Sequence, residues 1–97
     1  MTESPSDYQL LLFQHDNCGI CVALKPKIQE LLAENFPGLE LTIVDLIKQP
    51  EMRGKHLVFT APTLLFMQGE KEWFRMSGNF PVVNLKKNLL SFFPVTN

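Results

Sequence analysis

The two cysteines of this chain, Cys18 and Cys21, are separated by two residues and stand where a strand-like segment gives way to a helix-like one. The preceding segment, 8–14, is an apolar run of strand length, YQLLLFQ. The following segment, 22–36, repeats its apolar residues at helical spacing, which gives it one apolar face. The sequence therefore predicts a strand that delivers both cysteines to the first turn of a helix.

The first turn of a helix favours the thiolate form of a cysteine placed there. Its backbone N–H groups lack partners within the helix, and the positive end of the helix dipole lies at the same place. Because of both effects, we expect the Cys18 thiol to have a pKa below the usual value of about 8.5. Because the thiolate is the form that attacks a disulfide, the placement predicts thiol–disulfide exchange.

Length and charge exclude several other classes of function. A chain of 97 residues makes one domain, and its net charge of −1 supplies no basic surface for nucleic acid. No apolar run reaches the roughly 20 residues that span a membrane. Residues 1–7 are polar and acidic, unlike a secretory signal. If Met1 is the natural start, we expect a cytoplasmic protein, where paired cysteines are more often catalytic or metal-binding than structural.

The segments after the first helix continue the alternation of strands and helices. A second strand is predicted at 39–46, and this strand–helix–strand spacing implies a right-handed crossover and a parallel pair of strands. A short helix is predicted from Pro50 to about His56. The first half of the chain therefore reads as βαβα.

The second half predicts a hairpin and a final helix. Strands at 63–67 and 71–76 are joined by a tight turn that contains a glycine, and Pro81 opens the last helix. The whole order is βαβαββα, an α/β fold with a four-stranded mixed sheet flanked by three helices. We expect residues 1–7 to form a flexible leader and residues 8–97 to form the single domain.

Several motifs occur together in the order that a known superfamily uses. The motif Cys18-Gly19-Ile20-Cys21 opens the first predicted helix, and Pro26 follows it by five residues. Ala61-Pro62-Thr63 stands just before the hairpin. In these features the chain resembles the thioredoxin-like superfamily, with its CxxC motif and its cis-proline signature. The short leader leaves no room for an additional strand and helix before the CxxC strand, so the resemblance is to an atypical, minimal thioredoxin/glutaredoxin-like protein.

The chain departs from the family pattern at three positions near the motif. Asn17 replaces the tryptophan that commonly precedes the first cysteine, and Ile20 replaces the proline of CGPC. Leu12 stands where thioredoxins carry a buried aspartate that assists proton transfer at the second cysteine. The corner at 77–79 also lacks the aspartate expected of a glutathione site.

The resemblance implies a thiol–disulfide oxidoreductase that reduces protein disulfides through a dithiol/disulfide cycle. Cys18 is then the nucleophile and Cys21 the resolving thiol. Gly19 lets the substrate approach, Ile20 influences the redox balance, and Ala61, beside a cis Pro62, pairs with a substrate strand. The implied partners are a disulfide-containing protein and an electron-donating reductase or glutathione. No cofactor or metal is expected, nor a nucleic-acid or membrane partner, and the expected state is a monomer.

Two alternatives to catalysis remain open at this point. The cysteine pair could bind a metal such as zinc in a non-catalytic or redox-sensing domain, which would require four ligands, and His15 and His56 are the available histidines. The pair could also be inert core thiols. His15 has two interpretations of its own, as a solvated loop residue or as a positive charge that activates Cys18.

Overall fold

The computed structural model describes residues 7–93, which form seven elements in the predicted order. Residues 1–6 of the predicted leader and the chain end at 94–97 lie outside the described residues. The elements are β1 (Gln9–Gln14), α1 (Gly19–Asn35), β2 (Glu40–Asp45), α2 (Glu51–His56), β3 (Thr63–Gln68), β4 (Lys71–Ser77) and α3 (Val82–Leu90).

The strands form one mixed sheet in the order β2-β1-β3-β4. Strand β1 pairs in parallel with β2 and antiparallel with β3, which in turn forms the hairpin with β4. This arrangement confirms the predicted fold class. It also brings the carboxyl ends of β1 and β2 to the same end of the sheet as the amino end of β3, where Phe13 is paired with Thr63 and Gln14 with Asp45.

The central strand β1 is apolar on both faces because a core lies on each side of it. Leu10 and Leu12 belong to the larger core, which includes the apolar faces of α1 and α3. Leu11 and Phe13 point the other way, into the smaller core beside α2. Alternation along one strand thus divides the interior in two, as the pleat of a strand requires.

An aromatic cluster packs around Phe66 in the larger core. The fully buried ring of Phe66 lies 5.1 Å from that of Tyr8, 4.8 Å from Phe92 and 6.0 Å from Phe93, centroid to centroid. The apolar repeat of the last helix (Val82, Leu85, Leu89 and Phe92) predicts Phe92 on its buried face, but this is wrong for Phe92, because α3 ends at Leu90. The turn after the helix nevertheless carries both rings onto the sheet.

We predict that Phe66→Ala lowers the free energy of unfolding by about 3–5 kcal/mol, the usual cost of truncating a buried aromatic ring. The matched control is Phe59→Ala, whose ring is 72% exposed and whose loss should change stability by less than about 0.5 kcal/mol. Urea unfolding of the oxidised variants measures both. A loss below about 1 kcal/mol for Phe66→Ala would show that the cluster is not part of the cooperative core.

Candidate redox site

The first turn of α1 is capped by the sulfur of Cys18. The chain leaves β1, turns so that the Cys18 N–H donates to the carbonyl of His15 at 3.1 Å, and enters the helix with Cys18 as the N-cap residue in extended conformation. The Cys18 Sγ then accepts the backbone N–H of Cys21 at 3.1 Å. A helix N-terminus leaves such N–H groups unpaired, so a sulfur placed here meets donors that favour negative charge on it.

Cys18 and Cys21 are joined in a disulfide, with their Cα atoms 5.2 Å apart. The two side chains differ in access. Cys18 is half-buried at the start of the helix, whereas Cys21 is only 1% exposed, on the face of α1 that packs against the sheet. A reagent or substrate sulfur in solution can therefore reach Cys18, while Cys21 is shielded by the protein.

The second predicted motif lies at the same end of the sheet. The Ala61–Pro62 peptide bond is cis, and Pro62 leads directly into β3 at Thr63. Because Thr63 is paired with Phe13, the loop stands one strand away from the end of β1 that leads to Cys18. The topology thus brings together two motifs that are more than 40 positions apart in the sequence.

Two hydrogen bonds fix the loop around Pro62. The Gly78 N–H donates to the carbonyl of Pro62 at 2.9 Å, and Gly78 itself has a φ of 73°, a conformation that favours glycine. The buried Thr63 hydroxyl donates to the carbonyl of Thr60 at 2.7 Å. The Ala61-Pro62-Thr63 motif in the sequence indicated the proline, whereas only the structure shows that Thr63 holds the loop.

The segment before the loop is held by Arg75 of β4. Its guanidinium donates to the carbonyls of His56 at 2.9 Å and Leu57 at 3.1 Å, at the end of α2 where Leu57 has a φ of 54°. Glu72 accepts two further bonds from the same guanidinium, each of 2.6 Å. These bonds lower the pKa of the Glu72 carboxyl. No sequence signal reveals this anchor, because the carbonyls lie 18 and 19 positions away.

Asp45 closes the neighbouring turn after β2. One carboxylate oxygen accepts the backbone N–H groups of Ile47 at 2.8 Å and Lys48 at 2.9 Å. These bonds, that from Lys48 foremost, lower the pKa of Asp45, and the positive charges of Lys48 and His15 act in the same direction. The turn beside the cysteines is therefore tied by a charged side chain.

His15 is a half-buried residue of the loop between β1 and α1. Its Nδ1 atom is buried and has no hydrogen-bond partner within residues 7–93. The carbonyl of the same residue accepts the Cys18 N–H, which makes His15 part of the turn that sets the cysteine in place. A charge on His15 that activates Cys18 stays a prediction.

The residues between the cysteines leave the front of the site open. A Cβ atom placed on Gly19 would meet no heavy atom within 4 Å, and the side chain of Ile20 is 45% exposed. Leu12, at the position of the buried aspartate in the family pattern, is fully buried in the larger core. The segment between the cysteines is therefore open to solvent, and Leu12 contributes apolar packing to the core.

The metal alternative lacks a ligand set in the part of the chain that the structure describes. Residues 7–93 contain no group of three or more histidine, cysteine, aspartate or glutamate side chains placed to hold a metal ion. His56, one of the ligands considered, packs its ring against Phe13 at a centroid distance of 5.7 Å.

Comparison with known proteins agrees with this arrangement. A family model described as Thioredoxin matches residues 2–91. The chain belongs to the thioredoxin family. Family membership and the bonded cysteine pair together support a thiol–disulfide redox role. Within residues 7–93, no helix is long and apolar enough to cross a membrane.

Solved thioredoxin structures resemble this thioredoxin-family chain over most of its length. Thioredoxin 1 from Thermosipho africanus is 29% identical, with 88% of this chain and 93% of that chain covered and a TM-score of 0.79. Fasciola hepatica thioredoxin is 28% identical, with 88% and 80% covered and a TM-score of 0.78. Thioredoxin O2 from Arabidopsis thaliana in the oxidized state is 27% identical, with 89% and 75% covered and a TM-score of 0.74.

We predict that acid weakens the fold in part through Asp45. Its folded-state pKa is lowered, so its carboxylate contributes stability that is present above the unfolded-state pKa of about 3.9 and is lost as the pH falls through the folded-state value. Asp45→Asn keeps an oxygen that accepts the same N–H groups but carries no charge that acid can remove. The free energy of unfolding of this variant should therefore fall less steeply between about pH 5 and about pH 2. This window begins roughly one pH unit above the unfolded-state pKa of Asp45 and extends below it.

Urea unfolding midpoints across that pH range measure the effect. Asp16→Asn, on an exposed side chain of the adjacent turn, is the matched control and should follow the parent protein. Glu72 keeps its own acid-sensitive contribution in both variants. Identical pH profiles for Asp45→Asn and the parent would show that the turn does not depend on the charge.

We also predict that the two thiols of the reduced protein differ in reactivity. Iodoacetamide at neutral pH should modify Cys18 about tenfold or more faster than Cys21, because only the first sulfur combines access with a helix N-terminus. Mass spectrometry of proteolytic fragments locates the modified residue. In urea the two rates should converge, and equal rates in the folded protein would contradict the assignment.

Proposed function

We propose that this protein is a thiol–disulfide oxidoreductase that reduces protein disulfides through a cycle between the Cys18–Cys21 dithiol and disulfide. The observation that carries the proposal is the unequal placement of the two sulfurs at the start of α1. One is reachable from solvent and accepts a helix N–H group, and the other is buried within reach of the first. This is the arrangement that a nucleophile and a resolving thiol need.

The first step is the attack of the Cys18 thiolate on one sulfur of the substrate disulfide. A bond forms between Cys18 and that sulfur, and the other substrate sulfur leaves as a thiolate. The N–H of Cys21 and the end of the helix dipole stabilise the attacking thiolate before the reaction. The open space in front of Gly19 admits the substrate chain.

The second step returns the protein to the disulfide form. The Cys21 thiol loses its proton and attacks the Cys18 sulfur, and the second substrate sulfur leaves as a thiolate. Two electrons pass to the substrate, and the protein ends as the Cys18–Cys21 disulfide. A reductase or glutathione then supplies two electrons to restore the dithiol. Leu12 offers no carboxylate to accept the Cys21 proton, so we expect resolution to be slower than in thioredoxins with the buried aspartate.

The substrate is proposed to lie along the loop at Ala61–Pro62. The loop is fixed by the bonds to Thr60 and Gly78 and stands one strand away from the cysteine turn. The fixed backbone of this loop can pair with a substrate strand, which orients the disulfide for in-line attack. Cys18 and Cys21 are then the catalytic residues, and Gly19, Ile20 and Ala61 form the substrate-binding surface. Pro62, whose own ring is fully buried, holds the Ala61 backbone at that surface.

We predict that Cys21→Ser traps the first step as a stable mixed disulfide between Cys18 and the substrate. Without the resolving thiol, the covalent complex cannot dissociate by the second step. Non-reducing electrophoresis and intact mass measurement detect the complex with a disulfide-containing protein such as insulin. Cys18→Ser should form no complex and should lose turnover by at least about 100-fold.

The chain contains no other cysteine, so every adduct is assignable. The double variant with serine at both positions is the background control. A mixed disulfide that forms through Cys21 in the Cys18→Ser variant, at a rate similar to that of Cys18, would reverse the assigned roles. Failure of the parent protein to reduce insulin or small disulfides at any practical rate would overturn the proposed function.

A further inference from the structure

Phe59 is the most exposed of the large apolar side chains that the structure describes, with 72% of its surface open to solvent. An isolated exposed apolar residue is common and means little by itself. Phe59 differs because it stands three positions before Pro62, at the end of the sheet that carries the cysteines. Covering a phenylalanine ring is favourable, and here that gain remains available to a binding partner.

The segment that carries Phe59 is held on both sides. Before it, Arg75 binds the carbonyl of Leu57, and Val58 is buried with its N–H donating to the carbonyl of Arg53 at 3.0 Å. After it, the carbonyl of Thr60 accepts the hydroxyl of Thr63. The backbone of Phe59 is therefore placed by the fold, and a partner that covers the ring does not first have to order the loop.

The direction of the ring follows from the same contacts. Val58 packs into the core beside α2, and Ala61 packs against that core from the other end of the segment. Phe59 lies between these two inward anchors and points to solvent. Ile20, which lies between the two cysteines, also has an exposed apolar side chain.

We propose that Phe59 is a specificity-determining residue that contacts a bulky apolar side chain of the substrate, close to the disulfide under attack. The inference rests on the proposed function, because it requires a substrate strand along Ala61–Pro62. Phe59 and Ala61 are two residues apart, so their Cα atoms lie within about 7 Å of each other, the greatest span of two residues of chain. The contacted side chain is thus within about two or three positions of the substrate residue that pairs with Ala61. The substrate class is a protein disulfide flanked by an aliphatic or aromatic residue.

The test compares three substrates in single turnover with the reduced protein, so that two protein thiols are oxidised for each disulfide reduced. One is a disulfide peptide with leucine two or three residues from the cysteine, the second carries serine there, and the third is hydroxyethyl disulfide, which is too small to reach Phe59. Phe59→Ala should lower the rate constant for the leucine peptide about tenfold. It should change the rates for the other two less than about twofold. Phe59→Leu should restore most of the lost rate.

Leu57→Ala is the matched control, since Leu57 is 67% exposed on the same segment but farther from Pro62. It should leave the preference for the leucine peptide unchanged. An equal preference in the parent protein and Phe59→Ala, with reduction intact, would overturn the inference and leave the proposed function standing. Equal losses on all three substrates would also overturn it, because they would indicate a disturbed loop. Absence of reduction by the parent protein would remove both proposals together.

Discussion

The hydrogen bond from the Cys21 N–H to the Cys18 sulfur is the interaction on which the site depends. It caps the first turn of the helix in the disulfide form, and in the proposed cycle the same donor stabilises negative charge on the Cys18 thiolate. The position of this bond follows from the sheet, because α1 begins just after the central strand β1 ends. An apolar strand between two cores therefore determines where the Cys18 sulfur lies.

The loop at Ala61–Pro62, which we propose as the substrate side of the site, is built differently. Its loop has no regular secondary structure and is held by single side-chain bonds from Arg75 and Thr63 and by the backbone of Gly78. Such bonds are individually modest, but together they place Ala61 and Phe59 on a fixed path. In the proposed function, such a fixed surface favours selective binding, because little ordering of the loop is needed when the substrate arrives.

Leu12 affects both the stability of the core and, in the proposed cycle, the transfer of the Cys21 proton. A fully buried leucine adds to the larger core, whereas a carboxyl at that depth would have to be kept neutral or paired. The chain thus gains apolar packing behind the cysteines and gives up a nearby proton acceptor. In the proposed cycle this choice affects the second step, which uses Cys21, and leaves the first step at Cys18 unaffected.

Much of this protein follows from local sequence. The apolar run of β1, the helical spacing after Cys21 and the glycine of the hairpin predicted the seven elements and their order, and the CxxC and Ala-Pro-Thr motifs indicated the family. These signals are readable because each depends on residues a few positions apart. The tertiary structure alone decided the rest. Arg75 binds carbonyls 18 and 19 positions away, Phe92 reaches the core after its helix has ended, and Phe59 is exposed although Val58 beside it is buried. Contacts between distant segments depend on how the chain packs, and no local pattern encodes them.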